Sequence, residues 1–373
     1  MSFKFFATAA KGTEGALRDE LRELKFRRVK ATRGGVAFEG PATEGYRACL
    51  WSRIAMRILV ERATFACPSE RALYDRVREL DLGDVITPQH TLAVRASSSQ
   101  SYVSHTQFIA QKTKDAIVDG MREDFGERSS VDIHDPDLRL FVHINRDECT
   151  LYFDMSGEPL HLRGWRARGG AAPLKETLAA AIVRLSGWTK DALFLDPMCG
   201  SGTLAIEAAA MACKRAPGLG RAFGFQRWAS YDDEEIAAWK SLEDEARDCV
   251  TSDTLNIVAS DSSPDTIAIA EDNARQAGVR IAFSSRNVTQ WLPEERGGWV
   301  VTNPPYGQRL GGSDEAYLAL DTWIAKVRGV WTFSILSGAP ELDGAFLERK
   351  RGARWHALRN GDLDCKLWTI ATR

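Results

Sequence analysis

The sequence predicts an α/β protein whose second half is a doubly wound, mostly parallel sheet, preceded by two smaller α+β units. Three observations predict it. Short apolar strands at 192–195, 257–260, 281–283, 299–302 and 331–336 alternate with helical stretches, as parallel strands joined by crossover helices do. A glycine-rich turn stands between the first of these strands and the helix that follows. The first 160 residues alternate strand and helix in shorter runs with their own polar turns. At 373 residues the chain exceeds one ordinary core, and the divisions fall at 1–63, 64–160 and 161–373.

In the first unit, residues 3–7 read as a strand. Thr13 is placed to cap a helix whose Leu17, Leu21 and Leu24 fall at i, i+4 and i+7. Gly34-Gly35 turns the chain into a strand at 36–38, and a second helix covers 43–56. In the second unit Leu73, Val77 and Leu80 mark a helix. A strand at 91–96 and a long helix at 107–125 follow. Strands at 138–144 and 149–154 then flank the turn Asn145-Arg146-Asp147.

The third unit opens with Pro173 at a helix start, where its missing N–H costs little. Leu174, Leu178, Ile182 and Leu185 give that helix one buried face, and Ser186-Gly187 ends it. A later helix has Ser263 as cap, Pro264 in its first turn and Gly278 past its end. Residues 217–250 look inserted. Strands at 354–358 and 366–371, joined through Asn360-Gly361, predict a closing antiparallel hairpin.

Composition excludes several classes. No apolar run approaches the roughly 18 residues that a bilayer span needs. Residues 1–10 carry Lys4 as their only charge and no cleavage-like site, so they read as a strand and not a leader. The seven cysteines include no CxxC pair and the six histidines no HxxxH or HExxH, which predicts reduced thiols, a cytoplasmic protein and no metal site. Net charge is −2, and taken alone it argues against a nucleic-acid binder. Its distribution argues the other way. Residues 1–60 hold twelve Lys/Arg against six Asp/Glu; 161–168 adds Arg163, Arg166 and Arg168 without an acid; 346–359 holds five basic residues against Glu348. Separated patches let a near-neutral chain hold a polyanion, although solvated faces would look the same.

Three loops carry chemistry. Asp196, Pro197, Met198, Cys199, Gly200, Ser201, Gly202 and Thr203 follow a buried strand. The two glycines let backbone approach a ligand, while the strand-end carboxylate suits an ammonium or ordered water better than a phosphate. Neither GxGxxG nor GK[ST] is present, so phosphate cradles fit poorly. Asp261, with Ser262, ends the next strand, where a carboxylate accepts ribose hydroxyls; a plain helix entry is the alternative. Asn303, Pro304, Pro305 and Tyr306 end a third strand. Two prolines stiffen the loop. The Asn303 amide oxygen and Pro304 carbonyl are acceptors for a planar –NH2, on whose base Tyr306 stacks. A purely structural turn is the competing explanation.

DPMCGSGT, the acidic strand end at Asp261 and NPPY, in this order, resemble the class I methyltransferases that act on exocyclic amines. The resemblance covers nearly the whole chain. The basic first unit is similar to a ferredoxin-like domain, and 64–160, ending in LYFDMSGEPLHLRGWR, to THUMP, an RNA-binding module. APLKETLAAAIVRLSGW and NGDLDC are similar to bacterial 23S rRNA guanine-N2 methyltransferases.

The resemblance implies a Rossmann-like domain with a seven-stranded sheet, S-adenosyl-L-methionine as cofactor and N2-methylguanosine as product. Asp196 to Thr203 would line the methionine end of the cofactor, Asp261 and Ser262 the ribose, and Asn303 to Tyr306 the target base, with Asn303 beside the cofactor too. Asn287 stands where the family commonly has an aspartate for the adenine amino group; its amide oxygen still accepts, without the charge. Arg163, Arg166, Arg168 and Lys175 are candidate RNA contacts. The partner implied is 23S rRNA or a ribosome-assembly intermediate. Some family members are fused to a second methyltransferase domain; one set of motifs here implies one activity. A tRNA guanine-N2 enzyme of the same architecture, a DNA-adenine or protein-glutamine methyltransferase, and a non-catalytic assembly factor are the alternatives.

Overall fold

The computed structural model of the chain describes residues 2–166, 174–253, 255–305 and 313–372. The first 160 residues run β1 (Phe3–Thr8), α1 (Glu14–Glu23), β2 (Arg27–Thr32), β3 (Gly35–Gly40), α2 (Ala42–Trp51), β4 (Arg57–Ala66), α3 (Glu70–Arg78), β5 (Thr91–Ser99), α4 (Thr106–Phe125), β6 (Ser130–Val131), β7 (Leu138–Asn145) and β8 (Glu148–Asp154). They share one eight-stranded sheet, ordered β2-β3-β1-β4-β8-β7-β5-β6. β4 is the joint, with Val60 opposite Phe5 on one side and Phe153 on the other. The expected division at 63/64 therefore falls inside a strand.

Two local expectations change. Thr13 stands before α1, but its hydroxyl donates back to the Ala10 carbonyl at 2.8 Å and caps nothing. The Glu14 carboxylate instead takes the N–H groups of Gly12 and Gly34, at 2.8 and 3.3 Å. The second helix stops at Trp51 and not at 56. Buried Glu20 accepts from the Ser52 hydroxyl at 2.7 Å and the Arg53 N–H at 3.0 Å, and these bonds turn the chain into β4.

The second half runs α5 (Glu176–Leu185), β9 (Phe194–Asp196), α6 (Thr203–Ala212), α7 (Asp233–Asp248), β10 (Ile257–Asp261), α8 (Pro264–Gln276), β11 (Ala282–Ser285), β12 (Gly297–Thr302), α9 (Ser313–Lys326), β13 (Val330–Ser337), β14 (Arg354–Asn360) and β15 (Leu363–Ala371). Its seven strands are ordered β11-β10-β9-β12-β13-β15-β14, parallel through β13 and antiparallel at β15 and β14. Ser263 caps α8 as expected, accepting from the Thr266 N–H at 3.2 Å. The hairpin pairs Asn360 with Leu363, so its loop is Gly361-Asp362, one residue later than expected. Pro173 lies outside the described residues.

The halves are packed together. α5 turns Ala180 and Ala181 into the N-terminal core and Leu178, Ile182 and Val183 into the core under the seven-stranded sheet; a helix apolar all round is one buried on both sides. Residues 217–250 also serve this junction. Phe225 stacks on Tyr46 at 4.2 Å between centroids and meets Trp239 edge-on at 5.4 Å. At the far side, Gly12 (φ +90°) lies so close to β14 that a Cβ would sit 2.0 Å from the Ala357 carbonyl oxygen, which leaves room only for glycine.

Candidate active site

The site lies at the carboxyl ends of β9, β10 and β12. β9 pairs β10 on one side and β12 on the other, so connections leave it in opposite directions; this reversal is where open α/β sheets bind ligands.

The loop after β9 is built by close approach. Gly202 (φ +83°) precedes α6, and a Cβ there would lie 3.2 Å from that of Ala270. Gly200 (φ +52°) has nothing within 4 Å on that side, so its Cα faces open space that a ligand can enter. Both oxygens of Asp261 hold the loops: Oδ2 accepts from the Gly200 N–H and Oδ1 from the Ser263 N–H, each at 3.1 Å. The Ser260 carbonyl accepts from the Cys199 N–H at 2.9 Å. Asp261 keeps lone pairs free for two hydroxyls, and exposed Ser262 lies beside it. Pro197 and Cys199 are buried and Met198 and Ser201 half-buried.

Asp196 is 1% exposed, and burial pushes its carboxyl up to about 7, against the hydrogen bonds from Thr302 and Met198. Its Oδ1 accepts from the Thr302 hydroxyl at 2.8 Å and the Met198 N–H at 3.3 Å. Its Oδ2 is buried without a hydrogen-bond partner among the described residues. The next residue after Thr302 is Asn303, whose Oδ1 is likewise buried and unpartnered among them. Unmade bonds to buried oxygens cost about 1–3 kcal/mol each, so two on adjoining strand ends mark a place where donors bind. Pro304 is buried and Pro305 half-buried behind Asn303. Tyr306 lies outside the described residues.

Asn287 is exposed, and its Oδ1 already accepts from the Thr289 N–H at 2.9 Å and hydroxyl at 2.8 Å. The amide oxygen expected to meet an adenine is thus occupied in capping the turn Val288–Gln290, and the amide nitrogen is the group left to offer.

Two of the four candidate RNA contacts are corrected. The Arg163 side chain is 4% exposed, pairs with Glu207 at 3.3 Å and donates to the Leu160 carbonyl at 2.5 Å and to that of Arg53. Its charge is consumed inside the domain junction. Arg166, 15% exposed, pairs with Glu176 at 2.8 Å and donates to the hydroxyls of Ser201 at 3.2 Å and Thr203 at 2.9 Å. It braces the glycine loop. Lys175 is exposed. Burial, then Lys175 and three arginines, hold the nearby His161 down to about 4, evidence of a positive field. Arg168 lies outside the described residues.

Sequence reasoning also missed Thr302 and Asn273. Buried Asn273 holds the Ser201 carbonyl at 3.1 Å; an asparagine inside an amphipathic helix was its only signal. Among the described residues no group of three or more His, Cys, Asp or Glu could hold a metal, and no helix is long and apolar enough to cross a membrane. A polar cavity of about 260 Å³ lined by Arg53, Arg163, Glu207 and Arg215 shares no residue with these loops.

A Rossmann-like sheet with a glycine loop, an acidic second strand and an Asn-Pro-Pro third loop defines a class I methyltransferase. Comparison with known proteins gives the family. The profile described as "RMKL-like, methyltransferase domain" matches residues 163–369, "RlmL ferredoxin-like domain" 4–59 and "THUMP domain" 67–154. The chain belongs to the RMKL-like methyltransferase family. It is 41% identical to the ribosomal RNA large subunit methyltransferase K/L of Syntrophotalea carbinolica, over 98% of this chain and 53% of that protein. With the counterpart from Methylococcus capsulatus covered to 51%, the chain spans about half the length of the curated relatives it matches. Among solved structures, SMU.472 complexed with SAH is 29% identical with a TM-score of 0.86, covering 99% of this chain and 98% of that one. A predicted N6-adenine-specific DNA methylase from Listeria monocytogenes is 30% identical with a TM-score of 0.88, covering 99% and 96%.

Proposed function

We propose that this chain transfers a methyl group from S-adenosyl-L-methionine to the exocyclic N2 of a guanosine in 23S rRNA, giving N2-methylguanosine. The observation that carries the reading is the buried Asn303 Oδ1, without a partner among the described residues, one residue beyond the Thr302–Asp196 hydrogen bond.

The residues fit the cofactor. Asp196 offers an ammonium a carboxylate oxygen unpaired among the described residues, Gly200 an open backbone and Asp261 acceptors for a ribose. When bound, the cofactor supplies an electrophilic methyl group on a sulfonium. The protein supplies placement. Asn303 Oδ1 and the Pro304 carbonyl would accept hydrogen bonds from the two amine N–H groups, which favours a pyramidal nitrogen with its lone pair free to attack, and the methylated nitrogen then releases one proton to water. No strong base is required, since positioning and fixed dipoles do the work. A duplex hides the guanine amine, so the base must be unpaired or extruded. The N-terminal sheet, Lys175 and the basic patches would grip the backbone and fix register.

The relatives' names support rRNA, and the Listeria protein's description raises adenine. Purified protein, radiolabelled cofactor and undermodified 23S rRNA, tRNA and DNA, followed by nucleoside analysis, separate them. Label in N2-methylguanosine from rRNA is the expected result. Label in tRNA alone, or in adenine, overturns the assignment.

A further inference from the structure

The catalytic sheet ends in an edge strand for which the proposed reaction has no use. On β14, Trp355 stands opposite Trp368, Trp368 opposite Ile335, and Ile335 opposite Thr302. Trp368 is 1% exposed and Trp355 53%. Residues 349–359 carry five Lys/Arg and no acid, and Arg349, Arg351, Arg354 and Arg359 are exposed. Alternation along the strand puts Arg359 on the face of Trp355, where it also reaches Asp362 at 3.7 Å. The Lys366 ammonium lies 5.1 Å from the Trp355 ring centroid and 3.7 Å from Asp343. Cations on an edge strand prevent pairing with other sheets. That role accounts for the charges, and Lys366 makes a cation–π contact with the indole, which still stays 53% exposed.

We propose that Trp355, with Arg359 on its face of the strand and Arg351 in the turn before it, is a stacking platform for an unpaired stretch of the RNA substrate, taking a base close in sequence to the target nucleotide. The inference rests on the RNA substrate proposed above. An indole face accepts any base, and guanidinium groups beside it neutralise the phosphates that flank a stacked base. Three strand-to-strand steps, about 14 Å, separate Trp355 from Thr302, and Asn303 follows Thr302. A base on the indole therefore belongs to the same short segment as the base at Asn303. The platform also joins the N-terminal unit, through His356 Nε2 at 2.6 Å from the Gly12 carbonyl oxygen and Lys11 at 3.3 Å from Asp364.

The test uses the full chain with a fluorescein-labelled ten-nucleotide oligouridine and a 23S rRNA transcript. Trp355→Ala should weaken oligouridine binding roughly 5- to 150-fold, and Trp355→Phe should restore most of it. Replacing Arg351 and Arg359 by alanine should lower the salt slope by about 0.7 for each. SAH affinity by calorimetry should stay at the wild-type value in every variant. Wild-type RNA affinity in Trp355→Ala, or an unchanged salt slope in the arginine variants, overturns the platform while leaving the methyltransferase reading intact. If Trp355→Ala melts early, the phenylalanine and arginine variants carry the test. Failure of the wild-type chain to bind or methylate either RNA overturns the functional reading itself.

Discussion

The Thr302 hydroxyl donates to the Asp196 carboxylate across 2.8 Å, fastening the end of β12 to the end of β9. That one bond joins the loop proposed to hold the cofactor to the loop proposed to hold the base. Movement of either strand end would displace both.

Thr302→Val removes the donor and keeps the shape. A hydrogen bond to a carboxylate is worth about 1.5–3 kcal/mol, so cofactor affinity measured by calorimetry should fall roughly tenfold or more. Without this bond, which opposes burial, the Asp196 carboxyl rises further.

Asp196 predicts a pH dependence. Its folded carboxyl, up to about 7, lies above the unfolded value near 3.8. The stability it contributes is therefore complete below pH 4 and is lost as pH rises through 7. Binding of an ammonium runs in the opposite sense. Cofactor affinity should fall by up to tenfold per pH unit below about 7, and Asp196→Asn should abolish that slope. A slope unchanged in the variant would remove Asp196 from the ligand.

Asn303→Ala deletes the acceptor that has no partner among the described residues. Loss of one preorganised group of this kind costs about 100- to 1000-fold in turnover, with SAH affinity expected to change only a few-fold. Single-turnover methylation and calorimetry on the same preparation give both numbers.

Arg166→Lys distinguishes loop brace from RNA contact. Lysine keeps the charge and loses the fork that spans Ser201 and Thr203. Cofactor affinity should drop roughly tenfold, the scale of a hydrogen bond from a charged group, while the salt slope of RNA binding stays fixed. A reduced slope would restore its expected role on phosphate.

Phe225→Ala opens the junction between the halves. Deleting a buried phenylalanine costs about 3–5 kcal/mol, and chemical denaturation should report it as one cooperative loss of stability. Two separate transitions would show that the halves fold independently.

These relationships differ in how far the sequence discloses them. Periodicity located α1, α3 and α5 and end signals located α8, and the three loops were found because glycine pairs, a strand-end acid and a proline pair are local chemistry. β4 was lost as a joint because pairing partners are a property of the sheet; RILVERATFA has buried residues at both ends and charges in its middle. Charge, likewise, has no direction in sequence, so Arg163 and Arg166 read as surface cations. One signal existed. Glu207 is the lone acid of TLAIEAAAMA, and a single carboxylate in an apolar helix needs a buried cation. Thr302 gave none, because a threonine at a strand end is ordinary until its neighbour across the sheet is known.

The most direct measurement is a crystal structure of the chain with SAH. The account predicts its ammonium against Asp196 Oδ2, its ribose on Asp261 and its sulfur facing Asn303. SAH lodged instead in the cavity of Arg53, Arg163 and Glu207, or any arrangement that leaves Asn303 remote from the sulfur, would contradict it.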